Sequence, residues 1–454
     1  MPTKTDDEKI PASVADSSTN NHHLETTGAV VNYRDSWRIF RIITEFVEGY
    51  QFLGQFKREV VVMGSARIPS NNKYYKVAEE LGRLLAKNGF TTVTGGGPGI
   101  MEAANKGAYQ AGGKSVGLNI QLPLEQRTNA YVKDAVAFYY FFTRKVMLTS
   151  PGNAFVFFPG GFGTLDEFFE VVDYIELGQM DKSPIVLVGK EFWEPLMNFL
   201  RIQSVASVHA VSAADMANWH IVDTAEEAFD LVKDVKDRPN ICNGDPTNPL
   251  CIEGTDWKIF RIMAELVEGF EFITKIKNDV TVLGTKSLLP GSPYYQAAYE
   301  IGKILAQNGY TTITGGGPGI MEAANKGAFD SGGASIGVTM RLEGGKERIN
   351  RYVTSSLGFY FPFVRKLIIT SPSEAFIFFP GGFGTLHQLF ELLTLQETKK
   401  IEPTPILLYG RAFWQPLLDY IHFTLRESYK TISQLDEGFV RIIERPEEMV
   451  PLLR

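Results

Sequence analysis

Pro159-Gly160-Gly161-Phe162-Gly163-Thr164-Leu165-Asp166-Glu167 follows an apolar run, Ala154 to Phe158, and leads into a helical pattern. A strand that enters a glycine turn and leaves as a helix is a corner of a parallel α/β sheet. The stretch occurs twice. Pro380-Gly381-Gly382-Phe383-Gly384-Thr385-Leu386-His387-Gln388 follows Ala375 to Phe379 in the same way, keeps the glycines and loses the acid. The glycines let backbone N–H groups approach an anion, and the next helix adds its positive dipole end. Glu167 lies one helical turn in, on the side of the same pocket. Repeat 1 is expected to carry chemistry and repeat 2 to lack it.

Working outward, Trp37-Arg38-Ile39-Phe40-Arg41-Ile42 recurs as Trp257-Lys258-Ile259-Phe260-Arg261-Ile262, an offset of 220. Thr91 to Ala108 recurs as Thr311 to Ala328 with Val93 replaced by Ile313 as the only change. The PGGFGT segments are offset by 221, so one residue is inserted near Leu342 to Lys346. This is a tandem duplication rather than a short-period solenoid. The expected division is a disordered polar tail over 1–34, repeat 1 over 35–234, a Pro/Gly/Asn-rich linker over 235–255 and repeat 2 over 256–454.

Each unit opens with an amphipathic helix, with Ile39, Ile42, Ile43, Phe46 and Val47 at helical spacing. Strands are expected at Val60–Met63, Phe90–Thr94, Ser115–Leu118, Ala154–Phe158 and Pro184–Val188. Helices are expected at Tyr74–Lys87, Ile100–Ala111, Phe138–Thr149, Thr164–Glu176 and from Phe192. Near-continuous apolar strands alternating with helices predict two tandem Rossmann-like α/β domains, each a doubly wound parallel sheet binding ligands at its strands' carboxyl ends.

Composition narrows the rest. An apolar fraction of 44% suffices for sizeable cores, and a formal net charge of −7 without a basic run points away from nucleic acid. Cys242 and Cys251 lie in the linker at no zinc spacing and read as free thiols. The polar N-terminus has no signal-peptide h-region and no stretch approaches a membrane span, so a cytoplasmic protein without membrane contact is expected.

Gly95-Gly96-Gly97-Pro98-Gly99 also follows a strand and opens a helix. It is no dinucleotide fingerprint, because Ile100 stands where the last glycine would be, and Asn119 ends the next strand without a ribose-binding acid. Nor is it a P-loop. The turn binds phosphate or serves helix–strand packing, and the second glycine turn favours phosphate. Arg144 sits ~9 Å before its helix ends, and the strand from Ala154 returns about 16 Å, which brings Arg144 and Glu167 within reach above one strand end. A surface ion pair is the alternative. Gly64-Ser65-Ala66-Arg67 occupies the first strand-to-helix turn, where repeat 2 has Gly284-Thr285-Lys286-Ser287. Glu125, Gln126 and Asn129 can reach a ribose or form a solvated loop. The aromatics Phe138 to Phe142 can stack on a base or fill a core or interface.

GGGPGIMEAANKGA (Gly95 to Ala108), Arg144-Lys145 and PGGFGTLDE (Pro159 to Glu167) resemble the LONELY GUY (LOG) family, and with Gly64-Ser65-Ala66-Arg67 its larger, type II branch. The resemblance covers nearly everything after Asp35. These nucleoside 5′-monophosphate phosphoribohydrolases were long misannotated as lysine decarboxylases. The resemblance implies hydrolysis of the N-glycosidic bond of AMP or cytokinin riboside 5′-monophosphates, releasing free base and ribose 5-phosphate, with no metal or organic cofactor. It places the catalytic pair on Arg144 and Glu167. Phosphate and substrate contacts fall on Gly64, Ser65, Arg67, Gly96, Gly97, Gly99, Glu102, Asn119, Gly160, Gly161, Gly163 and Thr164. The degenerate counterpart in repeat 2 comprises Gly317, Gly319, Arg365, Gly381, Gly382, Gly384, Thr385 and Gln388, a structural half or a nucleotide-sensing site. It also implies an intramolecular pseudo-dimer, open to higher homo-oligomers, in which repeat 2 completes the repeat 1 pocket. Arg144 is expected to hold Glu167 ionised. The competing reading is a non-catalytic protein that binds a nucleotide or molybdenum cofactor. Lysine decarboxylation is poorly supported, since no lysine sits in a pyridoxal-phosphate context.

Overall fold

The computed structural model describes residues 33–121, 128–150, 152–237, 255–341, 349–371 and 373–453. The expected tail apart from Tyr33 and Arg34, which begin a helix, most of the linker, both cysteines, Glu125, Gln126 and the inserted residue lie outside them. Repeat 1 runs α1 (Tyr33–Leu53), β1 (Glu59–Met63), α2 (Lys73–Lys87), β2 (Thr91–Thr94), α3 (Ile100–Gln110), β3 (Lys114–Ile120), β4 (Asp134–Phe138), α4 (Phe141–Thr149), β5 (Ala154–Phe157), α5 (Phe162–Glu176), β6 (Ile185–Val188), α6 (Lys190–Phe199), β7 (Trp219–Val222) and α7 (Ala225–Val232). Its seven strands are parallel in the order β4-β3-β2-β1-β5-β6-β7.

Repeat 2 follows with α8 (Thr255–Ile273), β8 (Asp279–Leu283), α9 (Pro293–Gln307), β9 (Thr311–Thr314), α10 (Ile320–Asp330), β10 (Ser335–Met340), β11 (Ser355–Phe359), α11 (Pro362–Thr370), β12 (Ala375–Phe378), α12 (Phe383–Glu397), β13 (Ile406–Tyr409), α13 (Arg411–Tyr420) and β14 (Val440–Ile443). Its sheet has the matching order β11-β10-β9-β8-β12-β13-β14. The strand order reverses between β1 and β5, and between β8 and β12. That crevice is where an open α/β sheet binds ligands, and the glycine turns after β1 and β5 flank it.

The central strands are apolar because helices cover both faces; every residue of β1 and β5 is buried. Two strands depart from expectation. Asp134–Phe138 is the edge strand β4, so Phe138–Thr149 is not one helix, and β7 forms the opposite edge. The corner before α4 is capped from elsewhere: the Glu45 carboxylate on α1 accepts hydrogen bonds from the N–H groups of Tyr139 (2.8 Å) and Tyr140 (3.2 Å). Glu265 does the same for Tyr360 and Phe361 in repeat 2. An anionic cap supplies acceptors to orphan helix donors and suits the helix dipole.

The repeats share a core. The largest apolar cluster runs from Phe162, Leu165 and Phe169 into Phe383, Leu386 and Phe390. The arm after each sixth helix of a repeat reaches across: Ser204 donates to the Gly381 carbonyl at 3.1 Å. A Cβ on Gly382 would lie 3.0 Å from the Ala210 carbonyl oxygen, and one on Gly161 2.8 Å from that of Thr431. Each glycine turn is therefore packed closely by backbone of the other repeat, with little room for a side chain. No described helix is long and apolar enough to cross a membrane.

Candidate active site

A cavity of about 680 Å³ opens at the β1/β5 crevice of repeat 1. Gly64, Ser65, Arg67, Arg144, Gly161, Gly163, Thr164 and Glu167 line it together with Met101, Ile120 and Phe141. Its far wall comes from repeat 2: Thr394, Glu397, Thr398, Lys399 and Thr431. The volume suits a nucleotide-sized ligand.

Arg144 is fixed at both ends of its guanidinium. Nε donates to the Leu118 carbonyl at 2.8 Å, Nη1 lies 3.4 Å from Glu167 Oε1, and a Cβ on Gly95 would collide with Nη2. The arginine thus lies over the first glycine loop, which must be bare there. Both partners are buried. Burial raises the Glu167 carboxyl to about 7, against the pull of Arg144. Arg144 therefore does not hold Glu167 fully ionised at neutral pH, as the sequence suggested; desolvation of the carboxylate outweighs one cation at this distance.

The two glycine turns are tied together: Ser65 N–H donates to the Pro159 carbonyl and Ile100 N–H to the Ser65 carbonyl. Gly99, at φ 69°, crosses the backbone of Ser65 and Ala66, and Gly96, also at φ 69°, packs on the Asn119 amide. Asn129 donates to the Gly96 and Gly97 carbonyls and to Asn105 Oδ1, so it braces the loop rather than facing a ribose. Glu102 accepts from the Tyr75 hydroxyl at 3.1 Å, and Gly160 packs on Thr164. Gly96, Gly97, Gly99, Glu102, Asn119 and Gly160 are thus not among the residues that line the cavity. Of the aromatics, Phe141 lines the cavity, while Phe142 stacks on Phe363 of repeat 2 at 6.5 Å.

In repeat 2, Arg365 keeps the pose of Arg144: Nε donates to the Val338 carbonyl at 2.7 Å and the guanidinium covers Gly315. No carboxylate lies within ion-pair distance of Arg365 among the described residues. Burial pushes its pKa down to about 10, partly offset by Asp173 of repeat 1. Gln388 is buried with Nε2 lacking a hydrogen-bond partner among the described residues. Gly381 packs on Thr385, and Gly319, at φ 74°, crosses Thr285; Gly317 abuts Met321. A Cβ on Gly384 would lie 2.9 Å from Asp173 Oδ1, whereas its counterpart on Gly163 meets only a Thr394 methyl at 3.7 Å.

Between the two sites lies a buried charge cluster that the sequence did not reveal. Lys145 donates to Asp166 at 2.7 Å and lies 3.1 Å from His387 Nε2; Lys366 contacts His387 Nδ1 and donates to Asp173 at 2.7 Å. Burial opposes the charge on Lys145, Asp166 and Asp173. Even so, Asp166, Glu170 and Glu391 hold the Lys145 ammonium well above its usual range, and Lys366 with His387 holds Asp173 below its own. Asp166 and His387 serve this junction, not the cavity.

The family model described as "Possible lysine decarboxylase" matches residues 101–232 and again 321–453. The chain belongs to the LONELY GUY (LOG) family. Among LOG proteins, a cytokinin riboside 5′-monophosphate phosphoribohydrolase of Arabidopsis thaliana is 31% identical over 40% of this chain and 84% of its own. The one from Mycobacterium marinum is 30% identical over 38% of this chain and 92% of its own. Among solved structures, the molybdenum cofactor carrier protein of Chlamydomonas reinhardtii is 24% identical over 39% of this chain and 98% of its own, with a TM-score of 0.31. The two matched segments reflect the duplication, and only the first carries both members of the Arg144–Glu167 pair.

Proposed function

We propose that the protein hydrolyses the N-glycosidic bond of nucleoside 5′-monophosphates, AMP or cytokinin riboside 5′-monophosphates, to free base and ribose 5-phosphate, with one catalytic centre in repeat 1. The observation that carries this reading is the 3.4 Å Arg144–Glu167 pair inside a nucleotide-sized cavity at the switch point of the sheet. The names of the LOG relatives support it.

The 5′-phosphate takes the N-terminus of α5, where Gly161, Gly163 and Thr164 present N–H groups and the helix dipole favours an anion. Gly64 and Ser65 close the other side. Binding energy at the phosphate positions C1′, so that a remote handle lowers the barrier at the reacting bond. As that bond breaks, positive charge develops on the ribose, and the Glu167 carboxylate stabilises it and takes a proton from the attacking water. A base with a pKa near 7 is matched to neutral pH. Arg144, which cannot give up its proton, orients Glu167 and hydrogen-bonds the sugar. Repeat 2 is the structural half of an intramolecular pseudo-dimer and supplies the far wall.

The test is release of ribose 5-phosphate from AMP and from isopentenyladenosine monophosphate. Glu167→Gln, which gives repeat 1 the amide of Gln388, should abolish release while leaving nucleotide binding. Tight binding without release by the natural protein would favour a nucleotide or cofactor carrier; release that survives the substitution would mean another acid.

A further inference from the structure

Among the described residues, two carboxyl groups line the cavity, and one of them belongs to repeat 1. The other is Glu397, the last residue of α12, whose Oε1 accepts from Arg67 Nη2 at 2.8 Å across the repeat junction. The groups that face it are Arg67 from the turn after β1, Asp436 from the short helix Asp436–Phe439, and Lys399 in the same wall.

We propose that Glu397 is the general acid of the repeat 1 site, delivered by repeat 2 to the departing base. The assignment rests on the hydrolase reading above. Glu167 is held by Arg144 at the ribose side of the cavity, where water attacks. The base, extending away from the α5 N-terminus, lies between Met101, Ile120 and Phe141 and the repeat 2 wall, whose one carboxyl among the described residues is Glu397. A purine leaving as an anion is a poor leaving group, so the bond breaks more readily if a ring nitrogen gains a proton as electrons return to the base. The step balances: the C1′–N pair goes to the base, the Glu397 proton goes to a ring nitrogen, and water adds to C1′ while its proton goes to Glu167. Exchange with solvent resets both carboxyls.

The state of Glu397 suits the task. Burial and Asp436 raise its carboxyl to about 7, and the half-exposed Arg67 only partly opposes them. Neither Arg67, which does not deprotonate, nor the exposed Lys399 ammonium offers the same acid. The pseudo-symmetry adds a second observation. Glu176 occupies the matching position at the repeat 2 site, 3.9 Å from Lys286. Each repeat thus presents a glutamate to its neighbour's site, and at the repeat 1 site it faces a cavity that also holds Glu167, whereas the repeat 2 site has Gln388 at that position.

The experiment compares natural protein and Glu397→Gln on AMP across pH, and on 7-methylguanosine 5′-monophosphate, whose base departs neutral without a proton. The amide oxygen still accepts from Arg67, and circular dichroism checks the fold. General acid catalysis predicts a loss of ~10²-fold or more on AMP. The fall of the AMP rate at high pH should also vanish in the variant, while 7-methylguanosine monophosphate is cleaved at nearly the natural rate. Equal loss on both substrates, unchanged AMP turnover, or a persisting high-pH fall would overturn the assignment. The AMP profile decides alone if the methylated nucleotide does not bind. A natural protein inert toward both substrates would overturn the hydrolase reading and this assignment with it.

Discussion

Phe169 of repeat 1 and Phe390 of repeat 2 stack with ring centroids 5.4 Å apart and planes within 3°. The contact pins α5 against α12, the two helices whose ends form opposite walls of the repeat 1 cavity. α5 begins at the Gly160-Gly161 turn, and α12 ends at Glu397.

Phe390→Ala should therefore act on a site it does not touch. Removing a fully buried ring leaves a cavity and costs about 3–5 kcal/mol. Because the loss falls on the junction, ribose 5-phosphate release should drop as Thr394 to Lys399 shift away from Glu167. Denaturant unfolding and a rate assay on the folded fraction separate the two effects. Unchanged activity would show that repeat 1 works without an ordered second wall.

Lys145→Met tests the charge cluster. The substitution leaves Asp166 buried without its 2.7 Å partner, and breaking a buried pair costs about 3–5 kcal/mol. Neutralising both, in Lys145→Met with Asp166→Asn, should recover a large part of that loss, since the penalty is an uncompensated charge rather than a lost attraction. Thermal unfolding of the single and double variants gives the answer; a double variant no better than the single would show that packing dominates.

Glu167 gives a pH dependence with opposite signs for activity and stability. As the base it must be ionised, so kcat/KM should fall as pH drops below about 7. For stability, its folded pKa lies above the unfolded value of ~4.5, so the folded state holds the proton more tightly. The Glu167 contribution is complete below ~4.5 and is lost as pH rises through about 7, on the order of 3 kcal/mol from a shift of some two and a half units. Thermal midpoints at pH 5 and pH 8 should differ less in Glu167→Gln than in the natural protein. An equal difference would mean that this carboxyl is not desolvated.

How far the sequence reached depended on where each signal resides. Ala154–Phe157 and Val60–Met63 are buried on both faces and read as unbroken apolar runs. Asp134–Phe138 and Trp219–Val222 are edge strands with mostly exposed or half-buried residues, so neither carries that run. The α4 start was obscured because its cap is Glu45, far away in sequence. Arg144 and Glu167 were legible because they sit on adjacent elements with short, regular connections. Glu397 and Thr394 lie more than two hundred residues from the turn they face; helical periodicity places them on α12 and says nothing of what α12 packs against. The raised carboxyl of Glu167 was hidden for a related reason: spacing shows the Arg144 partner, but desolvation depends on everything else around the group.

The two sites should differ in occupancy as well as in chemistry. At the start of α5, Gly161 is packed by the Thr431 carbonyl, but beside Gly163 the neighbour from repeat 2 is the methyl of Thr394, an uncharged group that leaves room for a phosphate. At the start of α12 the neighbour from repeat 1 is Asp173, whose carboxylate lies against Gly384 and is held ionised by Lys366 and His387. A fixed carboxylate beside a helix N-terminus takes the electrostatic advantage that a phosphate would otherwise gain, and repels a second anion at close range. Arg365 then has its nearest compensation in Asp173 rather than in a ligand. Equilibrium dialysis with AMP, using Glu167→Gln to prevent turnover, should give one nucleotide per chain. Adding Gln388→Glu to that variant places a carboxylate opposite Arg365 but leaves Asp173 in position, so ribose 5-phosphate release should not appear. Two nucleotides per chain, or activity gained when Gln388→Glu is added to Glu167→Gln, would show that the glycine turn of repeat 2 is open to a phosphate.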